Sequence, residues 1–187
     1  MLTVPSDHIV TRRLTIRRET ADDAAAVAAS IGRNRDRLLP WLGWATEEAA
    51  SVEAQTVRIT RSGEQWDAGL MFDYAIFDRA TGTFWGKISM HRRIGPRGVE
   101  LGYWLDGAAE GRGVMTEAVA IIRDEALGLD WVDRVEIHCD AANVRSRAIP
   151  RRLGFELDRS ESRVATAASE TGMCTIWLQR KTTSGRR

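Results

Sequence analysis

Three short runs rich in aromatic and β-branched residues follow one another in the middle of the chain. They read LMFDYAIFD, TFWGKISMHRR and VELGYWL, and the turn-prone stretches RATG and RIGPRG separate them. Strand-like runs with brief turns between them predict an antiparallel meander of three strands. The core must therefore be built around a sheet, and the helices of the chain must cover the faces of that sheet.

Helical and strand patterns flank this meander on both sides. Before it, HIVTRRLTIRR alternates as one strand, TADDAAAVAASIGRNRDRLL has helical spacing, and Thr46 caps a second helix that ends near Gly63. After it come an amphipathic helix from Val114 to Leu129, the strand RVEIHCD, the short helix NVRSRAIPRRL and the closing strands GFELDRSESRV and GMCTIWLQRK. The order β-α-α-β-β-β-α-β-α-β-β predicts an α/β fold of the mixed α+β kind, with about seven mostly antiparallel strands and about four helices.

Length and composition indicate one domain over residues 1–187, with a polar, frayed tail at 181–187. Cys139 and Cys174 form no CxxC pair, which favours buried, reduced thiols. The 27 basic and 26 acidic residues nearly balance, so no large basic face for nucleic acid is expected. No run approaches the roughly 20 apolar residues that cross a bilayer, so we expect a cytoplasmic protein without a membrane partner.

The stretch EGRGVMTEAVA places two glycines directly before the amphipathic helix. Gly111 and Gly113 lack Cβ atoms where the first N–H groups of the helix have no acceptor, so an anion can approach the backbone closely. A turn that needs glycine only for its backbone angles explains the same pair equally well. The chain has neither GxxxxGK[ST] nor the third glycine of a Rossmann loop, so neither nucleotide-binding motif applies.

In this order and spacing, VELGYWLDGAAEGRGVMTEAV and NVRSRAIPRRLGF resemble the GNAT superfamily of acetyl-CoA-dependent N-acetyltransferases. The stretch NRDRLLPWLGWATEEAASVEA is similar to the RimJ/RimL branch, whose members acetylate N-terminal amines of ribosomal proteins. The loop fits the family pattern Q/R-x-x-G-x-G/A at Gly113 and departs from it at Glu110 and Met115. A carboxylate at position 110 repels a pyrophosphate unless it points away, and Arg112 is placed to offset its charge.

The resemblance implies the GNAT fold, whose sheet splays between its fourth and fifth strands so that the pantetheine of acetyl-CoA lies in the gap. Acetyl-CoA is then the donor substrate, no metal is implied, and a homodimer is compatible with the family. Backbone N–H groups near Trp104 and Leu105 would polarise the thioester carbonyl, Asn143 would hold the pantetheine, and Ser146 would reach the sulfur. From the residues alone, Asn143 instead caps a helix and Ser146 lies on the surface. The residues expected to bind acetyl-CoA are Trp104, Leu105, Gly111, Arg112, Gly113, Val114, Met115, Thr116, Asn143 and Ser146.

Acetyl transfer to an amine also needs a group that accepts the amine proton, and Glu100 is the first candidate. It opens ELGYWL on the strand expected to splay, and its apolar neighbours are expected to raise its pKa. A structural role for Glu100 in the sheet is the alternative. Asp73 and Glu161 are weaker candidates for the same role. Together with Ser146, which would protonate the departing sulfur, Glu100 forms the expected catalytic pair.

Trp41 and Trp44 in the stretch PWLGW, together with Asp73, are expected to line the acceptor pocket, although core or dimer packing also explains the tryptophans. The three histidines have no metal-ligand spacing, so no metal is expected. Pro150 cannot donate to the carbonyl of Ser146, which predicts a kink or a freed carbonyl in that helix.

No Cys or Ser is placed beside a histidine base, so direct attack in a ternary complex is expected rather than an acyl-enzyme. A protein N-terminal α-amine is the preferred acceptor by resemblance. A small-molecule amine, such as an antibiotic or polyamine, is the alternative, and a non-catalytic CoA-binding sensor is a third possibility.

Overall fold

The computed structural model describes residues 3–182. Most of the tail expected to fray, residues 183–187, lies outside the described residues. Lys181, at the start of that tail, is bound: its backbone N–H donates to the carbonyl of Asp133 (2.8 Å) and its Nζ donates to the carbonyl of Leu129 (3.0 Å).

Eight strands form one sheet. They are β1 (His8–Val10), β2 (Leu14–Arg18), β3 (Met71–Asp78), β4 (Phe84–His91), β5 (Gly98–Leu105), β6 (Arg134–Asp140), β7 (Glu156–Ser162) and β8 (Met173–Arg180). Their spatial order is β1-β2-β3-β4-β5-β6-β8-β7, and among these described strands only β5 and β6 pair in parallel. The mixed, mostly antiparallel sheet is therefore confirmed.

The predicted first strand is instead the hairpin β1-β2, which raises the strand number from about seven to eight. The hydroxyl of Thr11 accepts hydrogen bonds from the N–H groups of Arg13 (3.1 Å) and Leu14 (2.9 Å). These bonds stabilise a turn inside HIVTRRLTIRR. A Thr hydroxyl stabilises such turns without any glycine or proline to mark them in the sequence.

Four α-helices accompany the sheet: α1 (Ala24–Leu38), α2 (Val52–Asp67), α3 (Val114–Gly128) and α4 (Val144–Arg152). The cap predicted for α2 is wrong by several residues. Thr46 accepts from the N–H of Ala49 (3.2 Å) beside the short 3-10 helix Glu48–Ala50, whereas Ser51 accepts from the N–H of Ala54 (3.1 Å) and caps α2 itself. The helix also continues past Gly63 to Asp67. The two hydroxyls are close together in sequence, and both residue types favour the N-cap position, so the sequence pattern alone does not choose between them.

The helices lie on both faces of the sheet. Helix α1 packs its apolar side on one face, against a cluster that includes Phe77, Phe84 and Trp104. Helix α3 covers the other face, where Ile88 and Met90 of β4 are buried. From Lys87 onward, the residues of β4 that alternate with Ile88 and Met90 are polar, and they are Lys87, Ser89 and His91. The face on which they lie is therefore partly lined with charge.

The strands β5 and β6 stay together over three residue pairs only, from Gly98–Arg134 to Glu100–Glu136. Beyond Glu100 the two strands separate, while β5 remains paired with β4 as far as Leu105. One edge of β5 is therefore without a neighbouring strand in the described sheet. This is the splay expected between the fourth and fifth predicted strands.

Candidate active site

A cavity of about 2050 Å³ opens where β5 and β6 separate. Its wall combines the free end of β5, the loop before α3, the first turns of α4 and the polar face of β3 and β4. The sequence-predicted residues that it brings together are Trp41, Trp44, Asp73, Glu100, Trp104, Leu105, Gly111, Gly113, Val114, Met115, Thr116, Asn143 and Ser146. Arg112 and Glu161 lie outside this wall.

The glycine loop fits both interpretations of its sequence, the turn that needs glycine and the site that an anion can approach. Gly111 and Gly113 have left-handed backbone angles, with φ of 70° and 73°, which glycine adopts without strain. No side chain caps α3, so the N–H groups of Val114, Met115 and Thr116 have no acceptor in the described structure. A Cβ atom at either glycine would meet nothing within 4 Å. The loop is thus a turn that requires glycine, and it leaves bare donors beside the cavity.

Glu110, which departs from the family pattern, is paired with two arginines from distant elements. Arg37 of α1 donates to Glu110 Oε1, and Arg145 Nη1 of α4 lies 3.1 Å from both carboxylate oxygens. Arg37 also donates to the carbonyl of Leu105 at 2.5 Å. The carboxylate is therefore balanced by positive charge, and it connects α1 to α4 through the loop.

Arg112 has a different position from the one expected. Its guanidinium lies over the ring of Trp85, 4.5 Å from the centroid, and its carbonyl accepts from Arg13 Nη2 at 2.9 Å. Arg37 and Arg145, rather than Arg112, provide the positive charge next to Glu110. Sequence reasoning missed both, because they are 73 and 35 residues away from Glu110 along the chain.

Helix α4 begins with the cap that the sequence suggested. Asn143 Oδ1 accepts from the N–H of Ser146 at 3.0 Å, and both side chains are in the cavity wall. Ser146 is half-buried rather than on the open surface. The carbonyl that Pro150 frees is that of Ser146, as predicted, and it accepts from the hydroxyl of Tyr103. Tyr103 is a further wall residue to which sequence reasoning gave no role.

Glu100 is buried at the point where β5 leaves β6. Arg93 binds its carboxylate with two hydrogen bonds of 2.8 and 2.7 Å. Burial raises the pKa of Glu100, but the bonds from Arg93 and the nearby histidines lower it more, so the pKa lies below that of an ordinary glutamate. The expectation of a raised pKa is therefore wrong, because the apolar neighbours in sequence are not the partners in space.

The other two carboxylate candidates are held differently. Asp73 is buried against Lys87 (3.2 Å), Arg58 (3.3 Å) and Ser62 (2.9 Å). Burial opposes the charge of Asp73, but these partners outweigh it and lower its pKa to about 2. Glu161 is half-buried on β7, where hydrogen bonding from Arg163 lowers its pKa.

Two histidines near Glu100 were not singled out from the sequence. His138 Nδ1 lies 3.7 Å from Glu100 Oε2, and its Nε2 lies 2.7 Å from Glu136 Oε2. His91 is directly opposite Glu100 in the β4–β5 register, and burial lowers the pKa of His91. Strand alternation places Glu136 and His138 on one face, but the pairing of β6 with β5 is visible only in the fold.

The segment PWLGW covers the cavity at the side of α1. Trp44 meets Trp104 edge-on at 6.1 Å between ring centroids. The loop between β7 and β8 lies on this segment, since the N–H of Ser169 donates to the carbonyl of Pro40 at 2.8 Å. A Cβ at Gly43 would come within 2.2 Å of the carbonyl oxygen of Thr166, so only glycine allows this contact.

Among the described residues, no group of three or more His, Cys, Asp or Glu side chains is arranged to hold a metal ion. Within the same part of the chain, every helix is too short or too polar to span a membrane. Cys139 and Cys174 are both free and buried, as predicted.

A sheet opened between two parallel strands, with a bare glycine loop at the start of the next helix, defines an acetyltransferase of the GNAT class. Sequence comparison agrees. The family model described as the acetyltransferase (GNAT) domain matches residues 13–156. The chain therefore belongs to the GNAT family of N-acetyltransferases.

Individual relatives point to one branch of the family. YdaF of Bacillus subtilis (strain 168), whose name proposes a ribosomal N-acetyltransferase, is 30% identical over 154 residues, 78% of this chain and 79% of YdaF. The ribosomal-protein-S5-alanine acetyltransferase of Vibrio fischeri superposes with a TM-score of 0.85 at 19% identity, covering 97% of this chain and 100% of that one. RimJ of Mycobacterium smegmatis, solved with a CoA-disulfide, gives 0.84 at 20% identity, covering 94% and 88%. The two structures are similar in fold.

Proposed function

We propose that the chain transfers the acetyl group of acetyl-CoA to a protein N-terminal α-amine, by direct attack in a ternary complex. One observation carries this proposal: a single cavity joins the bare N–H groups at the start of α3 to the buried carboxylate of Glu100 through the gap between β5 and β6. The names of YdaF and of the Vibrio fischeri enzyme support a ribosomal-protein N-terminus as the acceptor. A cytoplasmic location and a homodimer remain predictions.

The donor would lie along the splayed edge of β5. Its pyrophosphate would bind the N–H groups of Val114, Met115 and Thr116 at the positive end of the α3 dipole. Arg37 and Arg145, both in the cavity wall, add positive charge at the same end. Backbone N–H groups near Trp104 and Leu105 would polarise the thioester carbonyl.

In the reaction, the amine nitrogen attacks the thioester carbon, the C–N bond forms and the C–S bond breaks. The nitrogen loses one proton, and the departing thiolate gains one. We assign the first proton to Glu100, which afterwards releases it to solvent. The second proton reaches the thiolate through the Ser146 hydroxyl, which takes a proton from water in the same step and ends it protonated. A carboxylate with a lowered pKa is a weak base for a free ammonium group. It is adequate for the more acidic N–H of the tetrahedral intermediate.

Acceptor profiling tests this function. The enzyme is given acetyl-CoA with peptides whose α-amine is free, with the same peptides blocked at the N-terminus, and with polyamines and amine antibiotics. We expect CoA release with the free peptides only. Acetylation of small amines alone would contradict the peptide acceptor. Tight acetyl-CoA binding without turnover on any amine would indicate a CoA sensor instead.

A further inference from the structure

A proline inside α4 leaves one backbone carbonyl without its helical donor. Pro150 has no N–H, so the carbonyl of Ser146, four residues earlier, receives no bond from the helix. The hydroxyl of Tyr103, on β5, donates to this carbonyl at 3.1 Å. A side chain of the splayed strand thus replaces the missing backbone bond of the helix.

The same phenol oxygen also binds the side chain of Ser146. Ser146 Oγ donates to Tyr103 Oη at 3.3 Å, and Asn143 accepts the backbone N–H of Ser146 at 3.0 Å. The N–H, carbonyl and hydroxyl of Ser146 are therefore all bound by side chains. This restricts the rotamer and the position of Ser146 more than an ordinary helical environment does.

Tyr103 is suited to a constant donor role. Its side chain lies in the cavity wall beyond the point where β5 leaves β6. Burial raises the pKa of Tyr103, so its hydroxyl stays protonated across the physiological range. It can bind Ser146 at every stage of the reaction without changing charge.

We propose that Tyr103 is a positioning residue for acetyl transfer, which acts by holding Ser146 Oγ where the thiolate of CoA departs. The Ser146 proton, which is donated to Tyr103 Oη before the reaction, turns to the thiolate as the C–S bond breaks. The proline makes this possible, because an N–H at position 150 would compete for the Ser146 carbonyl. The inference rests on the proposed function, since it assumes that Ser146 protonates the thiolate.

The test compares steady-state kinetics of Tyr103→Phe, Ser146→Ala and the double variant. We expect Tyr103→Phe to lower kcat about 10- to 100-fold with little change in KM for acetyl-CoA, because a misplaced proton donor affects only the chemical step. If Tyr103 acts through Ser146, the double variant is no slower than Ser146→Ala. Multiplied losses in the double variant, or full activity in Tyr103→Phe, would overturn the inference.

A second variant separates positioning from support of the helix. Pro150→Ala restores an N–H that can bond to the Ser146 carbonyl. Tyr103→Phe should lower the Tm, because the Ser146 carbonyl loses its donor. In Tyr103→Phe/Pro150→Ala we expect the Tm to return towards the wild-type value while kcat stays low. Recovery of kcat would show that Tyr103 only satisfies the carbonyl. Full activity in Ser146→Ala alone would instead refute the role of Ser146 in the proposed function, so the two failures are distinguishable.

Discussion

At the α3 end of the cavity the groups available for binding are backbone N–H groups, whereas at the β3–β4 end they are buried charged side chains. Gly111, Gly113 and the uncapped first turn of α3 make the first end. Asp73, Lys87 and Glu100 are at the second, each paired with an opposite charge from another segment. The α3 end depends on local backbone conformation, and the β3–β4 end depends on long-range charge pairing.

The contrast between the two ends of the cavity would be wrong if the buried charges at the β3–β4 end did not contribute to stability. We expect Asp73→Asn to lower the free energy of unfolding by about 3 kcal/mol, because it leaves buried cations with one carboxylate fewer. Denaturant unfolding measures this. The folded pKa of about 2 lies below that of an unfolded aspartate, so the stabilisation persists above the unfolded pKa and is lost as pH falls towards 2.

Asp67→Asn is the control, because it removes a carboxylate whose ion pair with Arg18 is exposed. Its unfolding midpoint should barely move. An equal effect of both substitutions would show that burial of the pair at Asp73 is not what matters.

Glu100→Gln tests the chemistry at the same end. We expect kcat to fall about 100-fold, since the carboxylate no longer accepts the proton. Because the pKa of Glu100 is lowered, wild-type kcat should decline only at pH below the ordinary glutamate range, and this acidic limb should disappear in the variant. Kinetics against pH check both points. Glu161→Gln, at a carboxylate outside the cavity wall, should leave kcat unchanged. An unchanged kcat in Glu100→Gln would show that Glu100 is only structural.

Gly113→Val tests the α3 end, and the structure supplies a matched control in Gly82. Both glycines have positive φ, 73° and 69°, and neither Cβ position has a neighbour within 4 Å. Each substitution should cost about 1–2 kcal/mol of stability from backbone strain. Only Gly113→Val should also weaken acetyl-CoA binding, by roughly tenfold. Calorimetry with acetyl-CoA compares the affinities of the two variants. Equal affinities would mean that the loop is only a turn and does not bind the donor.

Glu110→Gln should have the smallest effect. Without the carboxylate, Arg37 and Arg145 are free to meet the phosphates, so acetyl-CoA should bind a few-fold more tightly, and more so at low ionic strength. Titrations at two salt concentrations measure the change. Weaker binding would mean that Glu110 organises the loop rather than competing with the donor.

Local patterns predicted much of the fold and of the α3 end. The start of α3 at Val114, the cap at Asn143 and the freed Ser146 carbonyl all follow from residues within a few positions of one another. The errors arose where two local signals competed, as at Thr46 and Ser51, or where a hydroxyl formed a turn, as at Thr11. At such sites several local structures have similar energies, so the residue types alone do not choose between them.

The sequence by itself determined the order of strands and helices after the hairpin at Thr11, the glycine turn before α3 and many of the residues that line the cavity. These depend on periodicity and backbone conformation, which are local properties. Only the tertiary structure decided the direction in which the pKa values of Glu100 and Asp73 shift, the partners of Glu110 and the contact of Tyr103 with Ser146. The pKa of a buried group depends on which charges and donors lie within a few ångströms, and here those come from segments that are distant along the chain.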